Sequence, residues 1–71
     1  MPQFRYIGNA PPMANGKYKY RVRSVGFEIE FSPGEIFEVP DSEAWAVKCL
    51  RGQMEYDWDT KGQIKSYEEI V

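Results

Sequence analysis

Three carboxylates, Glu55, Asp57 and Asp59, recur at every second position near the end of the chain. On a β-strand that spacing puts all three on one face. Carboxylates so grouped are raw material for general acid–base chemistry. Nothing else that catalysis needs accompanies them. The chain has no histidine, so neither a Ser-His nor a Cys-His nucleophile can be assembled. The single cysteine, Cys49, lies in an apolar run, where a structural thiol is the default, and one thiol without histidine cannot build a zinc site. Asp57, Asp59 and Thr60 offer too few clustered oxygens for a calcium loop. The stretch Gly8–Gly16 leads into a strand pattern, not into the helix that a phosphate-cradling glycine loop requires. The carboxylate row is therefore read as a solvated strand face, and the chain as a non-enzyme with no cofactor and no metal.

A second set of charged residues could bind nucleic acid. Lys17, Lys19, Arg21 and Arg23 alternate with Tyr18, Tyr20 and Val22. Small β domains bind single strands through basic grooves bearing exposed aromatics. Here the tyrosines take the opposite parity and point away from the bases. After Ser24 the alternation slips in phase, and Val25, Phe27, Ile29 and Phe31 interleave with Glu28 and Glu30. A slip inside a period-2 pattern means either a turn or a bulge in one long strand. If the chain reverses through Arg23–Gly26, Val22 faces Phe27, Tyr20 faces Ile29 and Tyr18 faces Phe31. On the other face Arg21 meets Glu28 and Lys19 meets Glu30. Each such pair contributes about 0.2–1 kcal/mol, and a one-residue slip would break them all. Gly26 suits the positive φ of the turn. The hairpin is favoured over the bulged strand. It leaves Arg5, Lys17 and Arg23 as the bases free to meet a partner.

The remaining elements follow from punctuation. Phe4 and Tyr6 share one face of a first strand. Gly8–Gly16, with two prolines and two asparagines, is a long loop ending in the turn signal Asn15-Gly16. Ser32-Pro33-Gly34-Glu35 has the proline and glycine of a type II turn. Ile36–Val39 is a strand buried on both sides or kinked. Asp41 is a helix N-cap candidate, and residues 41–51 suit a short helix burying Trp45, Ala46, Val47, Cys49 and Leu50, with Gly52 beyond its end. Met54, Tyr56 and Trp58 then share one side of a strand. The tail, with Ile64, Tyr67 and Ile70, fits a last strand, a helical turn or a docking segment.

Seventy-one residues make one domain, 1–71. A chain this short is marginally stable by itself, and a lone cysteine rules out an internal disulfide. Good packing or assembly with other subunits must supply the support. The net charge of −2 conceals an asymmetry: residues 1–27 carry five bases and no acid, residues 28–71 four bases and eleven acids. Such halves can mark a basic arm on nucleic acid, but pairing within the fold is the simpler account. No run approaches the ~20 apolar residues of a membrane span, and the N-terminus lacks the apolar core of a signal peptide. A soluble protein made in a cytoplasm is expected. With eleven aromatic residues, some of Phe4, Tyr6, Trp45, Tyr56, Trp58 and Tyr67 must reach the surface, where aromatics act as interface anchors.

The run Phe31-Ser32-Pro33-Gly34-Glu35-Ile36-Phe37-Glu38-Val39-Pro40-Asp41-Ser42-Glu43-Ala44, followed by Leu50-Arg51-Gly52-Gln53-Met54-Glu55, resembles the small virion accessory proteins of tailed bacteriophages. The resemblance spans about residues 27–57 and is one of punctuation, not of a catalytic motif. The Gly8–Gly16 loop is longer than the hairpins of such proteins. The resemblance implies a mainly β fold, a small SH3-like antiparallel barrel or strongly twisted sheet of about five strands with one short helix at 41–51. It implies a capsid cement or decoration protein, or a head–tail neck subunit, assembled in the host cytoplasm into the virion in many copies. Its partners would be capsid or neck subunits, with nucleic acid as the alternative partner of the basic 17–23 strand. The N-terminal segment, the long loop and the tail would face neighbouring subunits, and with the free bases and exposed aromatics the expected contact residues are Phe4, Arg5, Tyr6, Pro11, Pro12, Met13, Lys17, Arg23, Trp58, Tyr67 and Ile70.

Overall fold

The basic run folds back on the acidic one in the register that their side chains set. In the computed structural model, which describes residues 1–71, the elements run β1 (Gln3–Tyr6), β2 (Tyr18–Val22), β3 (Phe27–Phe31), β4 (Ile36–Glu38), α1 (Ala44–Gly52), β5 (Met54–Asp57), β6 (Gly62–Lys65) and β7 (Tyr67–Ile70). β2 pairs antiparallel with β3, with Tyr18 opposite Phe31, Lys19 opposite Glu30, Tyr20 opposite Ile29, Arg21 opposite Glu28 and Val22 opposite Phe27. A 3-10 turn at Arg23–Val25 closes the hairpin, and Gly26 takes φ +68° in the left-handed region. The bulged single strand is excluded. The charges depart from the register in one respect: Lys19 Nζ leans diagonally to Glu28 at 3.8 Å, while Arg21 Nη2 holds the same carboxylate at 2.6 Å.

Neither β2 nor β3 pairs with any other strand, and this corrects the expected barrel. β1 is the centre of a three-stranded antiparallel sheet in the order β4-β1-β7, while β2-β3 and β5-β6 are separate two-stranded ribbons. The three sheets do not close into an SH3-like barrel, nor do they merge into one five-stranded twisted sheet. The Pro33-Gly34 turn, with Gly34 at φ +79° and Glu35 N–H donating to Ser32 O at 3.0 Å, carries β4 onto β1 and away from β3. The β2-β3 ribbon attaches through side chains instead, whereas β5-β6 meets the central sheet through the backbone of Ser66, which accepts from Ile7 N–H and donates to Gln53 O. Phe31 stacks on Phe37 with ring centroids 4.4 Å apart, and Tyr20 sets its ring edge-on to Tyr67 at 5.3 Å. Phe4, Phe27, Phe31, Phe37, Val39, Ala46, Val47, Leu50 and Tyr67 form one buried cluster.

The helix begins later than expected, at Ala44, because Glu43 N–H closes a turn onto Pro40 O first. Asp41 therefore makes no cap. Ala46, Val47 and Leu50 are buried. Trp45 is turned outward under the Lys48 ammonium, 5.1 Å from its ring, and Cys49 is half-buried. Gly52 is the last helical residue, with Gln53 as the cap. Arg51 grips Glu69 with two hydrogen bonds of 2.7 and 2.9 Å, tying α1 to β7. β4 is neither doubly buried nor kinked: Phe37 points in and Ile36 out, as suits an edge strand. The tail resolves into two strands. β6 returns along β5, Ser66 turns the corner, and β7 runs antiparallel to β1.

Phe31 is the side chain on which the hairpin's attachment rests, touching Tyr18, Phe37 and Tyr67. Phe31→Ala is expected to cost about 3–5 kcal/mol, enough to unfold a chain of this size. Ile36→Ala, on the outer side of the same corner, is expected to stay within about 0.5 kcal/mol. Urea denaturation followed by circular dichroism measures both.

Candidate functional site

β5 is turned inside out relative to its sequence pattern. Its acids face inward: Asp57 is 7% exposed and Glu55 half-buried. Its apolar residues face water: Met54 is 41% exposed, Tyr56 46% and Trp58, just beyond the strand, 80%. The expected solvated acidic face holds for Asp59, which is exposed, and fails for Glu55 and Asp57. Alternation shows that a strand has two faces, but not which one is buried, and here the long loop supplies polar partners for the acids.

Those partners are specific. The Glu55 carboxylate accepts hydrogen bonds from the Tyr6 hydroxyl at 2.9 Å, the Asn9 backbone N–H at 2.8 Å and the Ser66 hydroxyl at 2.8 Å. Asp57 accepts from the Asn9 side-chain amide at 2.7 Å, the Thr60 hydroxyl at 3.0 Å and the Asp59 N–H at 3.1 Å. The Tyr6 hydroxyl in turn accepts from Ala10 N–H at 2.9 Å, and the Tyr18 hydroxyl donates to Ala10 O at 2.7 Å. Residues 9 and 10 are thus latched to β1, β2 and β5 together. No buried side-chain nitrogen or oxygen lacks a partner. Burial pushes the Glu55 carboxyl up, but hydrogen bonds from Asn9, Ser66 and Tyr6 outweigh it and hold the group below its usual 4.5. Burial and the adjacent Glu55 push the Tyr6 phenol up to about 12, so it remains a donor at neutral pH.

With its base latched, the loop stands beside the outward face of β5. Asn9, Ala10, Pro11, Glu55, Tyr56 and Trp58 line an open groove of about 360 Å³. Tyr56 and Trp58 form one wall, their rings 4.6 Å apart and 72° inclined. Beyond the groove the loop tip closes on itself, Gly16 N–H donating to Met13 O at 2.8 Å and Gly16 taking φ +80°.

The sequence-predicted contact residues fall into separate groups. Pro11 and Trp58 meet in the groove, while Pro12 and Met13 are exposed farther along the loop. Phe4, 1% exposed, and Tyr67, 7% exposed, are core residues and offer no contact surface, because both pack into the aromatic cluster beneath the sheet. Tyr6 is committed to the latch. Arg5 is not free: its Nη2 lies 2.7 Å from Glu68 on β7. Lys17 and Arg23 are exposed and carry no ion pair, and Ile70 is half-buried at the end of β7. Glu55, Asp57, Asn9 and Tyr56 were missed as site residues. The signal available was the row of Met54, Tyr56 and Trp58 on one strand side, of which Trp58 alone was expected as a contact residue.

No group of three or more His, Cys, Asp or Glu is placed to hold a metal. No helix is long and apolar enough to cross a membrane. Comparison with protein-family models, with curated proteins and with solved structures finds no match.

The latch responds to pH and to one added methyl group. With its folded pKa depressed, Glu55 stabilises the fold at pH values above its ordinary 4.5 and loses that contribution as pH falls through the lower folded value. Amide protection factors at Asn9 and Ala10, corrected for the intrinsic pH dependence of exchange, are expected to be high at neutral pH and to fall below pH 4.5, ahead of those in β2 and β3. A Cβ at Gly8 would collide with the Glu55 carboxylate and the Tyr6 hydroxyl. Both are flexible tips, but each is held by the latch, so neither can yield without losing hydrogen bonds. Gly8→Ala is expected to cost about 1–3 kcal/mol and to speed Asn9 and Ala10 exchange already at neutral pH.

Proposed function

We propose that this chain is a non-enzymatic assembly protein that docks on a partner protein through the ledge formed by Met54, Tyr56, Trp58 and Pro11. The observation that carries this reading is the outward apolar face of β5. A large apolar side chain left in water forgoes about 1.5–3 kcal/mol of burial. Single exposed apolar residues, such as Trp45, Ile36 and Val25 here, need no special account. Three in succession on one strand face, beside a rigidly latched proline loop, do. Aromatic residues at such positions are the usual anchors of interfaces.

The carboxylates that catalysis would need support the same reading. Glu55 and Asp57 have their oxygens engaged by hydroxyl and amide donors from the loop and neighbouring strands, which is the arrangement of a structural latch. The basic strand is a weaker candidate for contact. Arg21 and Lys19 share Glu28, leaving Lys17 and Arg23 apart from each other at the two ends of β2.

The identity of the partner rests on the punctuation of residues 27–57 alone, which resembles that of tailed-phage virion accessory proteins. The partner proposed is accordingly a capsid or neck subunit, contacted by many copies of this chain. Individually weak contacts repeated on one particle gain strength by multivalency. Shells or connectors assembled from the structural proteins encoded beside this gene are expected to carry the wild-type chain into the pellet at fixed stoichiometry. Trp58→Ala, whose side chain is 80% exposed, is expected to keep its thermal midpoint and remain in the supernatant. Wild-type chain that stays in the supernatant defeats the virion assignment, and a Trp58→Ala chain that pellets normally defeats the ledge.

A further inference from the structure

The groove beside the ledge has a chemistry more specific than apolar contact. Its only charged lining residue is Glu55. The carboxylate is fixed in place by donors from Tyr6, Asn9 and Ser66, so its negative charge is positioned before any ligand arrives. Asp57 adds a second carboxylate behind it, joined through the Asn9 side chain. The other wall is a tryptophan and a tyrosine set nearly perpendicular. Lys65 shares the outward face of the ribbon but stands opposite Met54, at the far end from Trp58, and does not line the groove. Arg51, whose charge is matched by Glu69, does not line it either. A water-exposed aromatic wall with a fixed carboxylate close behind it attracts cations, because the ring faces carry negative quadrupole density.

We propose that the groove of Asn9, Ala10, Pro11, Glu55, Tyr56 and Trp58 receives an arginine side chain from the partner protein. Arginine fits better than lysine. Its planar guanidinium stacks on an indole and brings its delocalised charge near the Glu55 carboxylate without displacing the latch, and it is more weakly hydrated than an ammonium. Its aliphatic stem would lie along Pro11 and Tyr56. One such contact already exists within the chain, where the Lys48 ammonium lies 5.1 Å from the ring centroid of Trp45, its neighbour one turn away on α1. This inference rests on the docking reading above, and it adds what the partner must present.

The test uses the whole chain and a hexa-arginine peptide, with hexa-lysine at the same ionic strength as comparison. Nitrogen–proton correlation spectra resolve the indole N–H of Trp58 from that of Trp45. Saturable shifts are expected at the Trp58 indole and at the Asn9 and Ala10 amides, with tighter binding of hexa-arginine than of hexa-lysine. Trp58→Leu keeps an apolar ledge but removes the ring face, and is expected to weaken hexa-arginine binding at least about fivefold. Trp45→Leu is expected to leave it unchanged. Shifts spread evenly over all the acidic positions, equal binding by Trp58→Leu, or no shift at all would each overturn the arginine site. Pelleting of the wild type and of Trp58→Leu with shells, combined with no hexa-arginine binding, would remove the arginine chemistry and leave apolar docking standing. Hexa-arginine binding without pelleting would remove the virion assignment and leave the groove.

Discussion

Phe31 stacks on Phe37 across a gap that no backbone hydrogen bond bridges. That single contact defines how this molecule is built. The hairpin, the central sheet and the β5-β6 ribbon each satisfy their own ladders, and the hairpin joins the rest through aromatic rings and one tyrosine hydroxyl. Apolar burial is non-directional, so alone it would let the hairpin slide. Ring geometry supplies the missing specificity: Tyr67 receives Tyr6, Tyr20, Phe31 and Phe37, all four in the edge-to-face geometry that quadrupoles favour. The core cluster holds nine residues, and in a chain of seventy-one that is a small reserve of burial. A fold so constructed stands to gain stability from any partner that binds only its native form.

The second constraint is electrostatic. Two carboxylates drawn inward would be costly without partners. The loop supplies donors from Asn9, strand β1 supplies Tyr6, and the corner between β6 and β7 supplies Ser66. Ser66 also joins the sheets through its backbone, accepting from Ile7 N–H and donating to Gln53 O. Acids inside force their strand neighbours outside, because successive residues of a strand must take opposite faces. The exposed ledge is therefore a consequence of the latch. What holds the loop in place and what presents the aromatic wall are one arrangement of β5.

The charge asymmetry has a correspondingly local explanation. Arg5 meets Glu68, Arg21 and Lys19 meet Glu28, and Arg51 meets Glu69. The Arg21 hydrogen bond holds the Glu28 carboxyl below its usual range, despite some desolvation. These exposed pairs contribute little to stability one by one. Their value lies in register and in discouraging edge-to-edge pairing of short strands. Bases of the N-terminal half thus meet acids of the C-terminal half inside one fold.

The hairpin was legible from the sequence down to each cross-strand pair, because alternation, charge complementarity and Gly26 all depend on neighbours a few residues apart. The Pro33-Gly34 turn and the helix face were legible for the same local reason, with Trp45 and Asp41 as exceptions decided by what packs beside them. Sheet closure was not legible. Whether β4 joins β3 or β1 depends on contacts some thirty residues apart, and punctuation that resembles a barrel family does not encode them. Nor was the site. The pattern of Met54, Glu55, Tyr56, Asp57 and Trp58 states that two faces differ, and charge assigned the acidic one to solvent. Only the folded chain, by bringing Tyr6, Asn9 and Ser66 to the acids, made the acidic face the cheaper one to bury and left the aromatics in water.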